Sequence, residues 1–114
     1  MTKPTVSLVN VKARNNAMAL FNLAPLGLAY LGTVLKNRGY DVTVYDENRQ
    51  PVYQEQDDRF KRDITRSDFV GFTVISPAAN RAYRMALALK EKQTDIRLAF
   101  GGPHLLTDHE ADRF

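Results

Sequence analysis

The 114-residue chain has no cysteine. That excludes a disulfide scaffold, a zinc site built on cysteines and an iron–sulfur cluster held by this chain alone. No run approaches the roughly 18 consecutive apolar residues that a membrane span needs. The start, Met1 to Val6, lacks the basic-then-apolar layout of a signal peptide, so a cytoplasmic protein is expected. Charge of one sign is also missing. The 16 Lys+Arg and 13 Asp+Glu leave a net charge of +3, and the two signs are interspersed. The densest basic run, Arg59, Lys61 and Arg62, is flanked by Asp57, Asp58 and Asp63. It reads as a solvated helix face rather than the basic stripe of a nucleic-acid binder. There are no internal repeats or low-complexity stretches, and the length supports one domain over residues 1–114.

What is present alternates between strand and helix signals. Thr5 to Val11 (TVSLVNV) is β-branched and apolar, the pattern of a buried strand. Residues 12–24 form a connection longer than the roughly two to six residues usual between strand and helix, a length that points to function. Pro25 to Arg38 predicts a helix. Pro25 suits the first position, where its missing N–H has no intrahelical partner, and Gly39 suits the left-handed position past the end. Lys36 and Arg38 lie where the helix dipole favours cations. The apolar residues Leu26, Leu28, Ala29, Tyr30, Leu31, Val34 and Leu35 cover more than one face, so burial on most sides is expected. Gly27 and Gly32 each cost about 1 kcal/mol relative to Ala, which calls for close approach by a strand or a ligand.

Asp41 to Asp46 (DVTVYD) alternates and reads as a half-exposed strand near a sheet edge. Residues 47–54 are polar and turn-like around Pro51. Glu55 to Arg66 is weakly helical, with Phe60 and Ile64 on a thin apolar stripe. Phe69 to Ser76 (FVGFTVIS) is nearly continuously apolar, as in a central parallel strand covered on both faces. Asn80 to Gln93 predicts an amphipathic helix, with Ala82, Met85, Ala86 and Leu89 at the spacing i, i+3, i+4, i+7. Asp95 to Phe100 is a short strand closed by Gly101, Gly102 and Pro103, and Thr107 to Phe114 resembles the start of another helix.

Such alternation means right-handed crossovers and a parallel sheet. The expected fold is α/β: a flavodoxin-like (Rossmann-like) three-layer sandwich of strand order 2-1-3-4, its fifth strand missing or incomplete. Ligands of such sheets bind outside the carboxyl ends of the strands, where the strand order reverses. Three loops meet there: Asn10 to Gly27, Thr73 to Asn80, and Gly101 to Leu105. The Gly101-Gly102 pair lets a backbone pass close to a bulky ligand, or forms a plain turn. His104 is a ligand-facing donor or metal ligand, or, as lone histidines more often are, a helix-start or surface residue. His109 falls in a charged stub. Thr73, Ser76 and Asn80 can serve a ligand's polar edge. Ser76 or Asn80 can equally cap the following helix, Asn80 being the better cap. Asp46 ends the second strand, where dinucleotide folds hold a ribose.

Missing motifs narrow the chemistry. The first loop has no G-x-G-x-x-G, so a nicotinamide site built on Asp46 is weakly supported, and no G-x-x-x-x-G-K-[ST] occurs. Ser76 lacks the G-x-S-x-G context of a hydrolase nucleophile. A phosphorelay receiver needs an acidic pair after the first strand and an Asp ending the third. Asn10, Val11 and Ser76 stand in those places.

Three ordered segments carry a family resemblance. They are Pro25-Leu26-Gly27-Leu28-Ala29-Tyr30-Leu31 leading to Arg38-Gly39-Tyr40-Asp41-Val42, Asp68-Phe69-Val70-Gly71-Phe72-Thr73, and Gly101-Gly102-Pro103-His104. Together they resemble the N-terminal cobalamin-binding domain of cobalamin-dependent radical S-adenosylmethionine (SAM) enzymes, over about residues 4 to 112. The resemblance implies a corrinoid on the carboxyl ends of the strands, with its nucleotide tail threading beside the sheet. The contacts it implies are Asn10, Pro25, Leu26, Gly27, Thr73, Ile75, Ser76, Gly101, Gly102, Pro103 and His104. Methyl-transferring relatives of the methionine-synthase type carry Asp-x-His-x-x-Gly after the first strand. The loop here, KARNNAMALFNLAPLG, has no His, so a histidine-bound cobalt is not implied. The family's radical domain carries a Cys-x-x-x-Cys-x-x-Cys motif that holds the 4Fe-4S cluster and engages SAM. This chain has no Cys, so that chemistry is expected in a domain joined in cis, with Phe114 read as a truncation point. An exposed fourth-strand edge then predicts pairing of two copies or poor solubility. The alternative is a cofactor-free interaction domain that docks a partner domain. Met18, Leu20, Phe21 and Leu23 make the first loop apolar enough for a corrin ring or for a partner.

Overall fold

The computed structural model describes residues 3–12 and 26–101, with the backbone alone at Leu26 and Ser76. Strand β1, Thr5–Asn10, carries four consecutive buried residues, Val6 to Val9. Only a central strand covered on both faces buries every residue in such a run. Helix α1, Leu26–Asn37, follows, and then the edge strand β2, Asp41–Asp46. Two short strands, β3 (Tyr53–Gln54) and β4 (Arg59–Phe60), pair as an antiparallel hairpin ahead of helix α2, Arg62–Thr65. Strand β5, Phe69–Thr73, a 3-10 turn at Ser76–Ala78, helix α3, Ala79–Lys92, and strand β6, Arg97–Gly101, complete the order.

The four longer strands form one parallel sheet in the order β2-β1-β5-β6. This is the expected flavodoxin-like α/β arrangement, in which β5 and β6 are the third and fourth strands of the sheet. Alternate residues of each strand face opposite layers. Val9, Val70, Phe72 and Val74 pack with Ala82, Met85, Ala86 and Leu89 of α3. Val6, Leu8 and Val42 pack with Leu28 of α1 on the other side. Each fully buried Leu, Met or Val contributes about 1.5–3 kcal/mol. Among the described residues the α3 layer, the larger cluster, therefore holds most of the core. Among the described residues β6 pairs only with β5, and no described strand lies along its outer edge. No helix among them is long and apolar enough to cross a membrane.

The end of α1 forms as the sequence predicts. Gly39 takes φ +95° and donates its N–H to the Lys36 carbonyl, while Tyr40 donates to Leu35. This pair of bonds closes the helix C-terminus.

Five expectations are corrected or narrowed. First, α1 is not buried on most sides within the described structure: Leu28 and Gly32 are buried, but Tyr30 is 75% and Leu31 43% exposed. The helix packs on β1 and β2, and no described helix covers β5 and β6 on that side. Second, close approach by a strand is found at Gly32, where an added Cβ would lie 3.0 Å from Val44 Cγ2; at Gly27 no atom of the described residues comes within 4 Å, so a strand does not explain that glycine and the ligand alternative stands. Third, Glu55 to Arg66 is a hairpin and one helical turn, because Tyr53 stacks on Phe60 across the strands at 4.4 Å. Fourth, residues 47–54 are not merely a polar turn, since Glu47, Val52 and Tyr53 are buried. Fifth, Asn80 does not cap α3. The N-cap is Ala78, without a side-chain bond, and Asn80 is exposed within the first turn.

Candidate functional site

Parallel pairing without offset places four residues in one transverse row at the carboxyl ends of the strands. Asp46 is the register partner of Asn10, Asn10 of Thr73, and Thr73 of Gly101. The backbone ladder runs one step further: Glu47 N–H donates to the Asn10 carbonyl, Val11 to Thr73 and Val74 to Gly101. Register partners in a parallel sheet share a face, and here it is the face of α1. Asn10 Nδ2 donates to Asp46 Oδ1 at 3.1 Å, and that oxygen also accepts the Asn48 N–H. Asp46 further pairs with Arg49 at 3.8 Å.

A groove of about 830 Å³ runs along the same face from the amino ends of the strands to this row. Its floor is built from register neighbours that are small: Gly71 beside Ala99, and Thr73 beside Gly101. Leu8 and Val6 continue the floor, and Leu28, Leu31 and Leu35 of α1 form the wall. Asp68, Asp95 and Arg97 ring the amino end, leaving the carboxyl end bounded by Thr73 and Gly101. An apolar trough of this size with a few polar groups at its mouths is the usual form of a site for a bulky organic ligand.

Behind the row, on the α3 side, lies a buried ionic network. Arg81 donates through Nε and Nη2 to the two carboxylate oxygens of Glu47, at 3.0 and 2.8 Å. It also donates to the Tyr53 carbonyl and, at 3.1 Å, to Glu55. Glu47 is 1% exposed and accepts further bonds from the Val52 and Lys12 N–H groups. Burial acts to lower the pKa of Arg81, but the carboxylates of Glu47 and Glu55 outweigh it and raise it. Tyr53 is pushed up to about 12 by burial, assisted by its hydrogen bond to Asp58 Oδ1.

Of the residues picked from the sequence, the structure brings Asn10, Thr73 and Gly101 together in the row, with Thr73 and Gly101 also lining the groove. Gly27 lies exposed in the first turn of α1. Ile75 packs against the α3-side core, behind the row. Leu26 starts α1, and Ser76 starts the 3-10 turn. Pro25, Gly102, Pro103, His104 and His109, with the apolar first-loop residues Met18, Leu20, Phe21 and Leu23, lie outside the described residues. Asp46, considered as a ribose ligand, is engaged by Asn10 and its own turn. Sequence reasoning missed Glu47 and Arg81. One signal was available: Arg81 stands four residues before Met85 and eight before Leu89, on the apolar stripe of α3 rather than its charged face. No cluster among the described residues has the His and carboxylate content to hold a metal ion.

The chain matches the model of the B12 binding domain over residues 15–113. It is 34% identical over 83 residues to the anaerobic magnesium-protoporphyrin IX monomethyl ester cyclase of Rubrivivax gelatinosus. That alignment covers 73% of this chain, which spans about 15% of the length of that relative. No solved structure matches the chain. The domain match takes in every described element after β1, including the groove wall, its β5–β6 floor and the Thr73–Gly101 end of the row, and on this match the chain belongs to the B12-binding domain family.

Proposed function

We propose that this chain is the corrinoid-holding module of a larger cobalamin-dependent radical SAM enzyme. It seats cobalamin on the carboxyl ends of the parallel strands. The observation that carries this reading is the groove floored by Gly71, Ala99 and Gly101, which ends at the polar row. The residues present suit the group. A corrinoid is large, with apolar faces, an amide-rich edge and an aromatic nucleotide tail. The small floor residues leave the depth that side chains would fill, and the Leu-lined wall excludes water from an inserted tail. Asn10 and Thr73 supply hydrogen-bonding groups for amides at the row. When bound, the corrinoid supplies methyl transfer or related radical chemistry through its cobalt. The protein's part is to orient it and keep one face dry. The 4Fe-4S cluster and SAM then belong to a radical domain in cis, and the outer edge of β6 is the place where two copies of the isolated chain would pair.

Hydroxocobalamin titration tests the reading, with the ultraviolet–visible spectrum recorded after desalting. Retained corrinoid with a shifted spectrum is expected. Ala99→Phe, which fills the groove floor, should abolish retention without unfolding the protein. No retention by the unaltered chain would overturn the reading in favour of a cofactor-free docking domain. The exposed Tyr30 and Leu31 of α1 are the surface that would then serve.

A further inference from the structure

We infer that the buried Glu47–Arg81 pair is a positioning device for the corrinoid site, holding the Asn10–Asp46 end of the polar row. This inference rests on the cobalamin reading above. The connection is short. Glu47 follows Asp46 directly, and its backbone N–H donates to the Asn10 carbonyl at 3.0 Å. Its carboxylate accepts the Lys12 N–H at 3.4 Å, so one residue ties down both sides of the point where β1 ends. Arg81 fixes that carboxylate from α3 by a two-point grip, which sets its orientation as well as its place. Glu55 and the Tyr53 carbonyl, both from the β3–β4 hairpin region, hold Arg81 in turn.

The consequence at the row is chemical. An ionised Asp46 carboxylate only accepts hydrogen bonds, so Asn10 must turn its NH2 group toward it. The Asn10 side-chain oxygen, Oδ1, then becomes the acceptor offered to a ligand. The amide N–H groups on the edge of a corrinoid are donors of the matching kind. A shift of Asp46 would release that choice, and Asn10 could rotate either way. Glu47 and Arg81 touch no ligand in this scheme; they act through Asp46 and Asn10.

The double variant Glu47→Gln/Arg81→Met tests the role, because it removes both charges together and leaves a Gln oxygen to accept the Val52 N–H. Neutral or apolar replacement of a whole buried ion pair is often tolerated. The probe is hydroxocobalamin, with its dissociation constant and bound spectrum compared between unaltered chain and variant. The 15N-resolved NMR signals of the Asn10 side-chain amide are read in the ligand-free proteins. Expected are at least a tenfold weaker Kd, an altered bound spectrum and a shifted or broadened Asn10 NH2 pair, with the fold retained. A folded variant that binds within twofold of the unaltered chain overturns the positioning role and leaves the cobalamin reading standing. Failure of the unaltered chain to retain hydroxocobalamin overturns both. Should the double variant not fold, Arg81→Lys carries the same comparison. It keeps the charge but not the two-point grip, and unchanged affinity and an unchanged Asn10 signal there overturn the inference.

Discussion

Gly71 and Leu8 face each other across β5 and β1 so closely that a Cβ on Gly71 would come within 3.0 Å of Leu8 Cδ2. The missing side chain therefore does two things at once: it seats Leu8 in the α1-side core and keeps the groove floor low. Gly71→Ala forces Leu8 aside and is expected to cost about 1–3 kcal/mol, the usual range for overpacking. Gly101→Ala is the control. Among the described residues the nearest atom to its Cβ would be the Phe72 carbonyl at 3.9 Å, an ordinary contact, and its φ is not positive. It should be neutral or stabilise by up to about 1 kcal/mol through the unfolded chain. Urea unfolding of the two variants separates them, and equal midpoints would refute the packing argument.

Gly39 makes a different demand. Among the described residues nothing lies within 4 Å of an added Cβ, yet φ is +95°. Gly39→Ala should therefore lose about 1–2 kcal/mol from backbone strain alone. Gly39→Asn should lose less, since Asn tolerates left-handed backbone. Thermal unfolding that ranks Gly above Asn above Ala is the expected order.

These glycines show what was legible in the sequence. Gly39, past a helix with Lys36 in its last turn, is local punctuation, and the helix end it marks lies where the pattern places it. The strand order also follows from local signals, since Val6 to Val9 and Val70 to Phe72 are buried runs and β2 alternates. The hairpin was hidden because each of its strands is two residues long, and it rests on the contact between Tyr53 and Phe60 rather than on any period. Glu47 and Arg81 were hidden for a related reason. A charged residue is read as solvated until its partner is known, and these two are 34 positions apart. In the candidate site, the C-terminal-end rule pointed to Asn10, Thr73 and Gly101, which the register aligns in one row. The groove beside them depends on which residues share a face across strands, which register alone decides.

Tyr53 gives the stability a pH signature. Its folded pKa of about 12 lies above the ordinary value of 10.0. Between these limits the folded state keeps a proton that the unfolded chain has lost, so stability falls as pH rises. The contribution is fully present below pH 10 and gone above about 12. Tyr45, also raised by burial and by the charge of Asp63, adds in the same direction. Tyr53→Phe should flatten the decline between pH 10 and 12 in urea midpoints. An unchanged slope would show that the phenol is not protected in the folded state.

Single and double substitutions at the ionic network should differ in kind. Arg81→Met leaves the Glu47 carboxylate buried at 1% exposure without its main counter-charge. Stranding one member of a buried pair costs about 3–5 kcal/mol, a large share of the roughly 5–15 kcal/mol that holds a domain together. Arg84→Met, by contrast, removes a half-exposed partner of Glu55, and the loss should stay below about 1 kcal/mol. In Glu47→Gln/Arg81→Met the stranded charge is gone as well, so part of the stability lost in Arg81→Met should return. That return follows because the penalty lies in desolvating an unpaired carboxylate, not in losing an attraction. Urea unfolding of the three variants and the unaltered chain measures it. If the double variant were no more stable than Arg81→Met alone, the cost would lie in the lost bonds to the Tyr53 carbonyl and Glu55 rather than in the charge of Glu47.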